Sequence, residues 1–263
     1  MATAVFFHAH PDDEAIQTGG TMARMAADGH RVVLVTATRG ELGEVPDGIL
    51  APGETLAARR VEELAAACAV LGVARHEFLG YHDSGMAGEP TNEAPGCFWQ
   101  ADVDEAAARL AAILDDEHAD VFATYDENGG YGHPDHIQVH RVGLRAATRA
   151  GTPRVFMATM NRDYMLSLAD RADDFGLDMP EEQRSMLNTL GVQADRITTA
   201  VDVSAFLDRK RGAMEAHATQ ITDTSFFLKM PPEAFAAVWG TEWYIRVGSD
   251  GAPHLEDSLL AVP

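Results

Sequence analysis

Two short runs gather the residues of this chain that could do chemistry together. The first is His8-Ala9-His10-Pro11-Asp12-Asp13-Glu14, and the second is Tyr131-Gly132-His133-Pro134-Asp135-His136. Between them, His10, Asp13 and His136 offer two imidazoles and one carboxylate. That set suits Zn²⁺ at a catalytic centre, where a further position holds water. Zinc lowers the pKa of such a water to about 7 and so generates hydroxide at neutral pH. Asp12 is a second carboxylate beside the ligands, free to take the water's proton, and His133 can protonate a leaving group. Rival ligands exist. His8, two residues before His10, would share a strand face with it. His140 lies one turn after His136, whereas His118 at a helix end is a favourable dipole partner. The plainer reading of the opening run is a polar turn in which Asp caps a helix.

Two runs so distant in sequence need a scaffold that brings them together. Residues 4–7 are apolar without alternation, as in a strand covered on both faces. Pro11 cannot extend a central strand, so the chain leaves the sheet there, past a carboxyl-terminal edge. In open α/β sheets that rim is where ligands bind. Further strands are expected at 31–38, 76–79, 120–124 and 154–158, and helices at 21–28, 54–72, 102–118 and 136–150. Strands alternating with helices in this rhythm mean an α/β fold: a Rossmann-like, doubly wound, mostly parallel sheet with helices on both faces. The loops 39–53 and 81–100 open at the same rim, the first carrying Glu41 and Glu44, the second long enough to suggest a functional role. After Met160 the pattern loosens, with helices expected near 180–190 and 203–220 and a last apolar segment at 239–247. The expectation is one domain over 1–263, in which 1–160 form the core and 161–263 wrap it.

The formal charge of -21 disfavours nucleic acid and anionic membrane surfaces as partners. Cys68 and Cys97 read as free thiols of a reducing compartment. The first residues lack the basic stretch and apolar core of a secretory leader, and the longest apolar stretch, 64–74, is too short for a bilayer span of ~20 residues. A cytoplasmic protein is expected.

His10-Pro11-Asp12-Asp13-Glu14 together with His133-Pro134-Asp135-His136 resembles the two signatures of the LmbE/PIG-L family of zinc-dependent N-deacetylases. Thr124-Tyr125-Asp126-Glu127-Asn128-Gly129-Gly130-Tyr131-Gly132, Asp83-Ser84-Gly85-Met86 and Ala216-His217-Ala218-Thr219-Gln220 are similar to its actinobacterial branch, which holds a deacetylase of mycothiol biosynthesis and the mycothiol S-conjugate amidase. The resemblance implies a single Zn²⁺ on His10, Asp13 and His136, with Fe²⁺ as the alternative for the same ligands. It implies Asp12 as general base, His133 as general acid oriented by Asp135, and the Tyr131 hydroxyl stabilising the oxyanion. Arg60, Glu44 and Asp83 match positions that contact sugar or inositol hydroxyls, and Gln220 joins them by its motif. For Arg60 the alternative is a solvated helix charge paired with Glu62 or Glu63. The implied substrate is a small N-acetylated amino-sugar, such as N-acetylglucosaminyl-inositol, with the S-conjugate amidase reaction or a specialised-metabolite deacetylation as alternatives.

Other classes fit less well. A metal-containing sugar-binding module would not require Asp12 beside a complete ligand set. A dinucleotide-binding protein would carry G-x-G-x-x-G where this chain has His-Pro-Asp-Asp-Glu. A metallophosphoesterase would more often use two metals.

Overall fold

Strand β1 (Thr3–His8) carries Ala4, Val5, Phe6 and Phe7, all fully buried, and feeds two separate cores. Ala4 and Phe6 pack into one apolar layer, Val5 and Phe7 into the other, so no polar alternation survives. The structure is a computed structural model that describes residues 1–176, 179–249 and 255–260. After β1 come helices α1 (Asp13–Gln17) and α2 (Gly19–Ala27), then β2 (Arg31–Thr36), α3 (Leu56–Leu71) and β3 (Arg75–Phe78). They are followed by α4 (Val103–Asp116), β4 (Val121–Tyr125), α5 (Pro134–Ala150) and β5 (Arg154–Thr159). The later part adds α6 (Arg162–Ala169), α7 (Glu181–Leu187), β6 (Thr199–Asp202), α8 (Leu207–Ala216), α9 (Phe226–Lys229), α10 (Pro232–Trp239) and β7 (Thr241–Arg246).

The strands form one sheet in the order β3-β2-β1-β4-β5-β7-β6. β1 to β5 pair in parallel, and β7 runs antiparallel to both β5 and β6. Residues of α2, α3, α8 and α10 cover one face, and those of α4 and α5 cover the other. The chain winds outward from β1 to β3, then crosses back to place β4 on the opposite side of β1. This reversal opens a crevice at the carboxyl ends of β1 and β4, the position at which such sheets bind ligands. The two chemical runs leave the sheet at those two ends.

Most expected elements stand within a few residues of their places. The 54–72 helix runs Leu56–Leu71, capped by the Thr55 hydroxyl and closed by Gly72 at φ 81°. The opening differs. Asp13 and Glu14 lie in the first turn of a helix and not in a loop, because the Asp12 carbonyl accepts the N–H groups of Ala15 and Ile16 at 3.1 and 3.2 Å. Gly19 and Gly20 sit within helix as well. A Cβ on Gly20 would come within 2.5 Å of Val203, so this glycine serves close packing rather than a turn. The short α6, β6 and α10 have no counterpart in the sequence reading. Cys68 and Cys97 are free and buried. Among the described residues no helix is long and apolar enough to cross a membrane.

A buried ion pair ties the later residues to the first crossover. Lys210 of α8, fully buried, donates to Glu242 Oε1 at 2.6 Å and to the Ile16 carbonyl at 2.7 Å. Glu242 in turn accepts the N–H groups of Gly20 and Thr21 at 2.8 Å each, capping α2. Lys210→Met should therefore leave a buried carboxylate without its cation and cost about 3–5 kcal/mol. Urea denaturation checks this. A loss below about 1 kcal/mol would mean that the backbone N–H groups alone carry Glu242.

Candidate active site

His10 lies just past β1, and its backbone N–H donates to Asp13 Oδ2 at 2.8 Å, folding the carboxylate back over the strand end. His136 enters from the first turn of α5 and is fully buried. Its Nδ1–H donates to the Gly129 carbonyl at 3.0 Å, which leaves Nε2 aimed at the crevice. Gly129 has φ 60°, and a Cβ there would fall 2.4 Å from that of His136, so glycine is what lets this carbonyl approach. One Asp13 oxygen stands 3.5 Å from His10 Nδ1 and the other 3.3 Å from His136 Nε2. One ligand atom from each of His10, Asp13 and His136 lies within 4.8 Å of the others, close enough for the three to converge on one ion. His136 Nε2 is buried with no hydrogen-bond partner among the described residues, the state expected of a ligand atom. His10, Asp13 and His136 thus fit a metal. A second group, His10, Asp83 and His133, shares His10 with it.

The rivals are accounted for. His8 spends both ring nitrogens, on Tyr125 Oη at 2.7 Å and Thr18 Oγ1 at 2.8 Å. His140 holds the Tyr125 carbonyl through Nδ1 at 2.9 Å and belongs to neither group.

Asp12 is held in an uncommon backbone conformation, φ 117°, as the N-cap of α1. A non-glycine residue there costs on the order of 1–3 kcal/mol and persists only when its neighbours impose it. Three groups do so. The Asp12 N–H donates to Glu14 Oε2 at 2.9 Å, the Asp12 carbonyl caps α1, and Arg60 Nη2 reaches both the Pro11 carbonyl and, at 3.2 Å, Asp12 Oδ1. Burial pushes the Asp12 carboxyl up to about 6 against the pull of Arg60. Burial works against a charged His10 ring, but Asp13, Asp135 and Asp83 outweigh it and raise His10 well above its ordinary value.

His133 is the N-cap of α5, and its Nδ1 accepts the Asp135 N–H at 3.1 Å. The proton of the neutral ring therefore sits on Nε2. Burial beside His10 and His136 pushes His133 down to about 4, so its resting form is a hydrogen-bond donor. Negative charge developing next to it would raise its pKa and equip it to transfer a proton. The expected orientation of His133 by the Asp135 carboxylate needs correction. That carboxylate points elsewhere: it accepts the Ser84 N–H at 3.0 Å and the Ser84 hydroxyl, and stands 3.1 Å from His10 Nε2. Asp135 orients the ligand His10, and only its backbone N–H touches His133. Tyr131 is exposed at the mouth, its ring edge-on to His136 at 4.8 Å.

The residues expected to meet a sugar line one wall in part. Asp83 is buried, accepts the Leu42 N–H at 3.2 Å, and has Oδ1 3.5 Å from His10 Nε2. Gln220 donates to the carbonyl of Glu44 at 3.1 Å, while Glu44 itself is exposed. Arg60 is neither a solvated charge nor free for a ligand. It is 3% exposed, and α3 turns it under the opening loop, where Nη1 and Nη2 meet Gly40, Pro11 and Asp12 while Nε is buried without a partner among the described residues. Unforeseen were Ser84, which fixes Asp135, and the buried pairs Glu14–His217 and Glu63–Thr219. Their signal lay in the Asp83-Ser84 and Ala216–Gln220 runs, whose partners the sequence does not name.

Residues 5–147 match a family model described as PIG-L, GlcNAc-PI de-N-acetylase. A 1D-myo-inositol 2-acetamido-2-deoxy-alpha-D-glucopyranoside deacetylase from Acidothermus cellulolyticus is 47% identical, over 96% of this chain and 91% of its own length. Among solved structures, an N,N'-diacetylchitobiose deacetylase from Pyrococcus horikoshii superposes with TM-score 0.59 at 21% identity, covering 93% of this chain and 83% of that one. A 4-carboxy-2-hydroxymuconate hydratase from Pseudomonas putida superposes equally well, with TM-score 0.61 at 18% identity over 97% of this chain and 100% of that one. The shared fold therefore does not choose the reaction, and the residues in the crevice must.

The Asp135 geometry has a direct consequence. Asp135→Asn should weaken metal binding by about 10–100-fold, as loss of a ligand-orienting carboxylate does. Competition against a chromogenic chelator measures this. Unchanged affinity would mean that His10 needs no such support.

Proposed function

The chain belongs to the PIG-L family, and from that premise we propose that it hydrolyses the N-acetyl group of an N-acetylglucosaminyl-inositol type of substrate, releasing acetate and a free amine. The observation that carries the reading is the half-buried Asp12 carboxylate, held at φ 117° beside the His10–Asp13–His136 group. A module that only binds sugar gains nothing from strain at that residue. The relative from Acidothermus cellulolyticus, named for this glycoside, supports the substrate.

In this reading His10, Asp13 and His136 hold one divalent ion, Zn²⁺ or Fe²⁺. When bound, such an ion polarises a carbonyl and lowers the pKa of a water. Asp12 accepts the proton of the attacking water, its carboxylate braced by Arg60. The Tyr131 hydroxyl, at the mouth above His136, donates to the tetrahedral oxyanion. His133, neutral at rest, donates an Nε2–H hydrogen bond to the departing nitrogen, and the proton that Asp12 took from the water completes the free amine. Asp83 and Glu44 offer acceptors to substrate hydroxyls, Gln220 offers an amide, and Arg60 serves the site from below, through Asp12. The same reading treats 1–263 as one deacetylase domain, because β6 and β7 complete the sheet that 1–160 begins. A small amino-sugar is its partner.

Asp12→Asn should keep its metal yet lose activity by a factor on the order of 10²–10⁴, since it removes the proton acceptor and no ligand. Amine release from the acetylated glucosaminyl-inositol, with metal content measured on the same sample, decides it. Loss of metal from this variant would exchange the roles of Asp12 and Asp13. On substrate, kcat/KM for the acetylated glycoside should exceed that for a mycothiol S-conjugate. Tenfold preference for the conjugate, about 1.4 kcal/mol in transition-state binding, would assign the amidase reaction instead.

A further inference from the structure

Glu14 and His217 are both fully buried and meet at 2.5 Å, Oε1 to Nε2. The other oxygen of Glu14 accepts the backbone N–H of Asp12 at 2.9 Å. His217 Nδ1 has no partner among the described residues, so the ring makes one hydrogen bond there, to Glu14. His217 caps the carboxyl end of α8. It is placed from both sides: Lys210 reaches the carbonyl of Ile16, two residues past Glu14, and Thr219 donates to both Glu63 oxygens at 3.0 and 2.7 Å. A residue from the far end of the chain is thus brought to the back of the opening loop, behind Asp12 and not in the crevice.

We propose that Glu14 and His217 form a positioning pair for Asp12, in which His217 fixes the Glu14 carboxylate and Glu14 in turn holds the Asp12 N–H so that its side chain stays aimed at the reacting water. Three links support it. Asp12 sits where a non-glycine backbone does not rest unaided. Its N–H goes to Glu14. Among the described residues, the one side chain that hydrogen-bonds the buried Glu14 carboxylate is His217. Without His217 the carboxylate can turn, the N–H is released, and the loop relaxes toward an ordinary φ that carries the Asp12 carboxylate away. Neither residue touches the substrate, and a displacement near 1 Å is enough to slow chemistry on the order of 10²-fold.

The proposal rests on Asp12 as the proton acceptor, and a double-mutant comparison separates the two. His217→Leu, which fills the space without a donor, should lower kcat on the order of 10–100-fold, with KM within about twofold and metal content unchanged. His217→Gln, whose amide N–H falls near the position of Nε2, should recover most of that loss. In an Asp12→Asn background His217→Leu should cost less than about threefold more, because nothing is left to position. Equal losses in both backgrounds, or a lower Tm with kcat preserved, would make the pair a structural one and overturn the proposal. Should His217→Leu fail to fold, His217→Asn, which stays polar but withdraws its donor from Glu14, takes its place in the same comparison. Full activity in Asp12→Asn alone would remove the functional reading, and this pair's role with it.

Discussion

The crevice between β1 and β4 holds Asp12, Asp13, Asp83 and Asp135, and this concentration of buried negative charge is the constraint to which the rest of the site answers. Carboxylates taken out of water are costly unless paired or hydrogen-bonded. Each is answered differently. Asp135 is satisfied by Ser84 and His10, Asp83 by the N–H groups of Leu42 and Gly85, Asp12 by Arg60, and Asp13 by the backbone N–H of His10 with its imidazole close by. Arg60 is the one arginine or lysine that pairs with any of the four among the described residues. Asp13, Asp83 and Asp135 each bring a carboxylate oxygen within 3.5 Å of a His10 ring nitrogen and raise its pKa above the ordinary value. In the reading proposed above, a divalent ion on His10, Asp13 and His136 would offset that charge and leave Asp12 outside the ligand set, free to take a proton.

The fold explains why this charge can be held at all. Strand ends position His10 and the loop carrying Gly129, while the first turns of α1 and α5 supply Asp13 and His136, so each candidate ligand stands on regular structure or two residues from it. The later segments, which look peripheral in the sheet order, act behind the site. Lys210 reaches Glu242 on β7, which caps α2; His217 reaches Glu14 on α1; and Thr219 reaches Glu63 on α3. Residues of β7, α8 and the segment after it thus brace the helices that follow β1 and β2.

How much of this was legible depended on whether partners lie close in sequence. His10, Asp12, Asp13, His133 and His136 could be read because each run carries its chemistry within a few residues and leaves a strand that periodicity locates. The direction of the Asp135 carboxylate could not, since it is decided by Ser84 in a loop from another crossover. Arg60 read equally well as a surface charge or a sugar contact, and only the packing of α3 beneath Pro11 shows it turned inward. The opening helix α1 is not legible in the sequence because its five residues, Asp13–Gln17, begin inside the polar run that reads as a loop past the strand. β6 escaped notice as a four-residue edge strand that ends on an exposed Asp202.

The charge balance of the crevice is tested most directly by anomalous diffraction at the zinc edge on metal-loaded crystals. One peak is expected within bonding distance of His10, Asp13 and His136, with Asp12 close by but not a ligand. A peak seated instead among His10, Asp83 and His133, the overlapping group, would contradict the assignment of both the ligands and the proton acceptor.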